Sequence, residues 1–419
     1  MQREENELLT QTGPGSPCGE LMRRYWQPVA LSEELPSGGA PIPVKLFGED
    51  YVLFRDDQNR PGLLDIHCSH RGADLSYGRV ENGGLRCIYH GWLYDIEGRC
   101  LDQPCEAGGG AQRESIRHPA YPCLERSGAI FAYLGPGRPP EFPSYQFLNA
   151  PEDSTFAVKL FSECNYLQGN EGNIDLGHLS FLHYNQQNST RYGREDHQER
   201  LNPRGAAAEM ESYDAELTGY GVRSYKILKN AKPGQYHLYV TEFVLPNLTT
   251  FGGRGYELGG YSVNWHVPID DTHHWKFTFM YSTVASMDRD RLRQGRASMT
   301  ADYKPIRNRA NRYLQTRDSM KNETYSGMAL IFQVQDLCVT EGMGPIMDRT
   351  KEHLTSVDLP IVAARKVMLN AIRELREGRE PVNVVRDPNR DRLVLVTCDD
   401  FVPESVPWKE YIRNKYSVS

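Results

Sequence analysis

No run of apolar residues in this chain approaches the roughly 18 that a membrane-crossing helix needs. The opening residues Met1 to Glu7 are charged, unlike the basic-then-apolar run of an export signal. A membrane partner is therefore not expected, and the reading is a cytoplasmic protein. A basic stripe is missing too: 48 Lys and Arg are interspersed with 55 Asp and Glu for a net charge of −7, which argues against nucleic acid as a partner. There is no internal repeat or low-complexity tract, and Gly108-Gly109-Gly110 reads only as a loop tip. A disulfide framework is not indicated either. The nine cysteines are an odd number in a chain without a leader, so reduced thiols are expected, some of them recruited as metal ligands.

What is present is length and order. A chain of 419 residues favours two cores of unequal size. Residues 1–40 read as an N-terminal helical cap, with Leu8, Leu9, Leu21, Met22 and Tyr25 around a Gly13-Pro14-Gly15 break. Residues 41–140 carry short apolar strands such as Tyr51 to Phe54, separated by polar turns, and read as a small all-β domain. Gly135-Pro136-Gly137-Arg138-Pro139-Pro140 and Pro143 continue neither strand nor helix and mark a boundary. Residues 150–419 read as an α+β domain: Tyr236 to Leu245 and Tyr256 to Val284 as antiparallel strands with a turn at Asp270-Asp271-Thr272, and Asp358 to Glu377 as a helix stopped by Gly378. Tyr192 to Glu211 is polar and reads as an active-site flap.

The first chemical motif is Cys68-Ser69-His70, followed after sixteen residues by Cys87-Ile88-Tyr89-His90. Each loop offers one thiolate and one imidazole. A Rieske [2Fe–2S] cluster needs two cysteines on one iron and two histidines on the other, and Asn82-Gly83-Gly84 is a hairpin signal that folds the two loops together. The competing readings are a structural zinc site, which more often pairs like with like, and four unrelated core residues. The remaining cysteines, Cys18, Cys100, Cys105, Cys123, Cys164, Cys338 and Cys398, are expected to be buried thiols without chemistry.

The second motif is Asp175-x2-His178-x4-His183. On a helix Asp175 and His178 share a face, and His183 converges on the same point if the helix ends nearby. A ferrous ion that takes both oxygen and a substrate wants two histidines and one carboxylate on one face. Asp336, an acid amid Phe332, Val334 and Leu337, is the candidate third ligand, since burial penalises a carboxylate unless it is bound or paired. Asp348 and Asp358 are rivals. His237, His266, His273 and His274 are read as structural.

With both motifs in hand, the sequence resembles the large subunits of Rieske aromatic-ring oxygenases, in the phthalate 4,5-dioxygenase-like branch. Supporting stretches are Gly13-Pro14-Gly15 to Trp26-Gln27-Pro28, His90-Gly91-Trp92, Cys164 to Gln168 and Asp348 to Leu354. The resemblance implies an α+β fold, a small all-β Rieske domain joined to a catalytic domain whose curved antiparallel sheet is flanked by helices. It implies a [2Fe–2S] cluster on Cys68, His70, Cys87 and His90, a mononuclear Fe(II) on His178, His183 and Asp336, and Asp175 as the link between the metal centres. It further implies electrons from NADH through a separate flavin and iron–sulfur reductase, O2 and a small aromatic substrate, and head-to-tail homotrimers or dimers of trimers. Ser69 departs from the proline most members carry there. The activities implied are hydroxylation of an aromatic carboxylate of phthalate type or, alternatively, O- or N-dealkylation; a bare Rieske electron carrier would leave the second motif unused. Arg200, Arg204 and Arg223 are possible carboxylate partners, and no pocket residue is assigned.

Overall fold

Apolar alternation decides which core each early strand serves. Tyr51-Val52-Leu53-Phe54 lies in the strand Glu49–Arg55. Its odd-numbered Tyr51 and Leu53 join the main core of the molecule, while Val52 and Phe54 join a second cluster that contains Cys68 and Cys87, as side chains two apart on a strand must. The computed structural model describes residues 1–106, 110, 112–183, 211–252, 259–294, 299–388 and 393–416.

Two four-stranded antiparallel sheets carry the first motif. One orders Ile42–Leu46, Glu49–Arg55, Pro61–Asp65 and Ala120–Tyr121; the other orders Arg79–Glu81, Gly84–Arg86, Leu93–Tyr94 and Cys100–Asp102. The hairpin expected at Asn82-Gly83 is there, with φ of 50° and 81° at the two turn residues, the double positive φ that a two-residue turn matched to strand twist requires. At the amino end, helices Arg3–Thr10 and Pro17–Met22 form, and the chain then becomes extended. Gln27–Leu31 is a fully buried strand that pairs with Ala129–Ala132.

The second half is built on one eight-stranded antiparallel sheet. Its path runs Thr155–Ser162, His274–Tyr281, Ser262–Pro268, Leu248–Phe251, Gln235–Val244, Gly221–Lys232 and Glu211–Leu217, and Cys398–Pro403 also pairs with Gln235–Val244. The register Tyr225↔Val240, Lys226↔Tyr239, Ile227↔Leu238 separates two faces. Tyr225, Ile227, Leu238 and Val240 are covered through Ile412 by the helix Trp408–Tyr416. On the opposite face, Tyr239 meets Leu176 and Leu179, and Lys226 donates from Nζ to Ser180 Oγ at 2.7 Å. That face positions the second motif. The turn at 270–272 joins two of these strands as expected, with Thr272 N–H donating to Asp270 Oδ1. No helix among the described residues is long and apolar enough to cross a membrane. The architecture is the expected α+β arrangement, a small all-β unit beside an antiparallel sheet with helices.

Candidate metal centres

The two loops of the first motif close in the same way. Cys68 N–H donates to Ala73 O and Gly72 N–H to Cys68 O; Cys87 N–H donates to Trp92 O and Gly91 N–H to Cys87 O. Gly72 and Gly91, each four residues after its cysteine, have φ of 73° and 75°, a conformation in which side chains other than glycine are strained. The loops thereby present Cys68 and Cys87, both 3% exposed, beside one another, and the rings of His70 and His90 edge-on with centroids 4.5 Å apart. Donors of like type are paired, as one iron for two thiolates and another for two imidazoles requires. His70 Nδ1 is buried without a hydrogen-bond partner among the described residues, and burial pushes the Cys68 thiol up, as fits donors suited to a bound cation. Trp92 stacks on His70 at 4.5 Å, while Ile88 and Tyr89 stand 61% and 56% exposed on the same loop as His90.

The second motif lies where a helix stops. Asn165 caps Tyr166–Ile174 by accepting from Leu167 N–H, and Asp175 leaves the helix with extended backbone, its Oδ1 accepting from Gly177 N–H at 2.8 Å. A single 3₁₀ turn, His178–Ser180, then aims His178 and His183 inward. From the opposite side, helix Phe332–Gly342 delivers Asp336. His178 Nε2 and His183 Nε2 are 3.1 Å apart, and Asp336 Oδ1 is 3.0 Å from His183 Nε2 and 3.7 Å from His178 Nε2. Donors about 2.1 Å from one ion and at right angles to each other stand about 3 Å apart, so the three fit a single cation on one face. Charge favours that reading. Although burial opposes it, His183 holds Asp336 down at about 2, and burial with neighbouring His183 keeps His178 below the ordinary histidine range.

Around these ligands the structure adds residues that sequence reasoning left out. Gln335 Oε1 lies 2.7 Å from His183 Nδ1, and Gln335 Nε2 donates to Ala329 O at 2.7 Å, which fixes the amide as acceptor and puts the His183 proton on Nδ1. Phe332 stacks on His183 at 4.4 Å. Asp175 Oδ2 is 3.8 Å from His178 Nδ1, beyond hydrogen-bond length, and that nitrogen has no hydrogen-bond partner among the described residues. The rivals of Asp336 do other work, Asp348 capping Thr350 and Asp358 capping Thr355. His237 bonds Asp399, and His266 bonds His274. Arg223 is paired with Glu242 at 2.9 Å on the sheet face away from Lys226. Arg200, Arg204 and the expected flap up to residue 210 lie outside the described residues. All nine cysteines are free, and Cys105 is exposed rather than buried as expected, because it sits beyond the strand Cys100–Asp102 on a surface turn.

Residues 25–122 match the model of the Rieske [2Fe-2S] domain, and residues 132–418 match that described as LigXa C-terminal domain like. Over 97% of the chain and 94% of the relative, the sequence is 32% identical to the oxygenase subunit of phthalate 4,5-dioxygenase from Pseudomonas putida. The chain belongs to the Rieske non-haem iron oxygenases. A second relative of this Rieske oxygenase is the oxygenase subunit of 5,5'-dehydrodivanillate O-demethylase from a Sphingobium species, 30% identical over 93% of the chain and 85% of the relative. Its fold is shared with the reduced complex between oxygenase and ferredoxin in carbazole 1,9a-dioxygenase, at a TM-score of 0.57 and 20% identity, covering 92% of this chain and 96% of that one. The oxygenase subunits it resembles are named as dioxygenases or an O-demethylase of aromatic compounds.

Proposed function

We propose that this Rieske oxygenase is the terminal component of a multicomponent system that hydroxylates an aromatic carboxylate of phthalate type. The observation that carries the reading is the convergence of His178, His183 and Asp336 on one point in a chain that also pairs two cysteines and two histidines in matched loops. Cys68 and Cys87 hold one iron of the [2Fe–2S] cluster, His70 and His90 the other; His178, His183 and Asp336 hold a ferrous ion. When bound, these groups supply electrons one at a time and the activation of O2. The chain's own residues do the rest. Gln335 fixes the tautomer of His183, Phe332 keeps water from its ring face, and Asp175 holds the turn that aims His178 and links it to His90 of a neighbouring subunit in a homotrimer or a dimer of trimers. Electrons come from NADH through a separate flavin and iron–sulfur reductase, and the ferredoxin complex of the carbazole enzyme supports such a partner. Residues 41–140 are the cluster-bearing domain, 150–419 the catalytic domain and 1–40 a cap; the seven cysteines outside the cluster motif, none in a disulfide, support a cytoplasmic setting.

Substrate class rests on the phthalate relative, with 3-chlorobenzoate-3,4-dioxygenase, 32% identical over 88% of the chain, in support. The demethylase relative favours a second reading, hydroxylation of an aryl methyl ether that then loses its methyl group. A screen of aromatic acids and aryl methyl ethers with reconstituted reductase separates them. Oxygen consumption with a dihydrodiol product supports the first, formaldehyde release supports the second, and a protein that reduces its cluster yet turns over neither class overturns both.

A further inference from the structure

His118 touches the cluster site by two routes. Its Nε2 lies 2.8 Å from the backbone oxygen of Asp65. A carbonyl only accepts, so the ring proton sits on Nε2. Burial lowers the proton affinity of this ring, 2% exposed, so the imidazole is neutral and Nδ1 is a lone pair. Ser69 Oγ, 2.7 Å from Nδ1, must therefore be the donor. Ser69 thus has its one proton committed to His118, and the ring is held at both nitrogens.

A ring fixed at both nitrogens presents a fixed face, and Tyr94 lies on it. The two ring centroids are 4.7 Å apart at 30°. Tyr94 is fully buried, and its Oη is 3.2 Å from Cys68 Sγ. A cluster-bound thiolate has no proton to give, so in this contact the phenol is the donor. Hydrogen bonds to cluster sulfurs withdraw electron density and favour the reduced state.

We propose that His118 is a positioning residue for the cluster: clamped between Asp65 and Ser69, it holds Tyr94 so that the phenol donates to Cys68 Sγ and thereby sets the reduction potential. The inference rests on the assignment of the cluster to Cys68, His70, Cys87 and His90. Iron and acid-labile sulfide counts on the full-length protein come first; a missing cluster in the unmodified protein defeats that assignment and leaves nothing for His118 to position.

With the cluster present, the midpoint potential is read by dye-mediated titration of the visible spectrum, independently of turnover. Tyr94→Phe is expected to lower the reduced-to-oxidised ratio at fixed poise by up to about tenfold, which is 59 mV for one electron. His118→Leu, compared in a Ser69→Ala background so that a freed hydroxyl contributes nothing, shifts the ratio in the same sense. That shift disappears when Tyr94 is already Phe. Ser69→Ala alone, at an exposed position, guards against a His118 variant that fails to fold: it gives a smaller shift of the same sign that also needs Tyr94. Wild-type potentials in the Ser69 and His118 variants at full cluster content overturn the proposal, and so does a His118 shift of equal size with and without the Tyr94 hydroxyl.

Discussion

At the scale of single residues, the triad has the sharpest consequence. Replacing His183 by Ala or Asp336 by Asn is expected to remove one iron per chain while leaving the cluster absorption intact, since the two donor sets lie in separate cores. Metal analysis beside the visible spectrum checks this, and simultaneous loss of both would mean one shared site. Asp175→Asn keeps all donors but withdraws the carboxylate next to His178; turnover should fall roughly 10- to 100-fold at unchanged iron content, read by single-turnover product formation. These residues were legible because the chemistry restricts which side chains can serve and six of the seven candidate donors fall in three pairs no more than five residues apart, Cys68 with His70, Cys87 with His90 and His178 with His183. Gln335 was not legible. It meets His183 across 152 positions, and a glutamine beside an aspartate on a helix gives no sign of where its amide points. His118 and Tyr94 were invisible for the same reason, as their partners are set by packing of strands far apart in the chain.

At the scale of elements, one buried ion network ties the turn that carries His178 to the helix Leu359–Arg376. Glu171, on the helix that ends at Asp175, accepts from Arg349 Nη2 at 2.9 Å and from Arg365 Nε at 2.6 Å, and Arg365 also pairs with Glu352. Arg349 is 0% exposed. Glu171→Gln leaves two buried guanidinium groups short of an anion and should cost about 3–5 kcal/mol in urea unfolding. Burial alone would raise Glu171, but Arg349 and Arg365 hold it below its ordinary 4.5. Its contribution is therefore fully present above pH 4.5 and is lost as pH falls through the lower folded value, so the gap between wild type and Glu171→Gln should narrow on acidification. The helix Leu359–Arg376 was legible in outline, from its period and from Gly378, whose φ is 80°. Its buried face was not. Val362 is 44% exposed while Arg365 is buried, because the ion network rather than apolar character decides which side turns inward. The expected helical run at the amino end likewise gives way at Gln27–Leu31, where pairing with Ala129–Ala132 outweighs local preference.

For the molecule as a whole, Ile88 and Tyr89 stand 61% and 56% exposed between Cys87 and His90. Exposed apolar side chains beside a candidate cluster site suit the docking of a redox partner. The double change Ile88→Lys and Tyr89→Lys should leave the cluster spectrum unaltered and slow its reduction by the partner, measured by stopped flow; an unchanged rate would place docking elsewhere. Sequence by itself determined the fold class, the family and the candidate ligands, because metal coordination admits few side chains, and its loops need glycines and spacing that show locally. Only the tertiary structure decided how those ligands are held: which tautomers they carry, which sheet face meets the iron-bearing turn, and which buried charges brace it. Those choices depend on contacts between segments from about 50 to nearly 200 residues apart, where register and packing rather than local pattern fix the outcome.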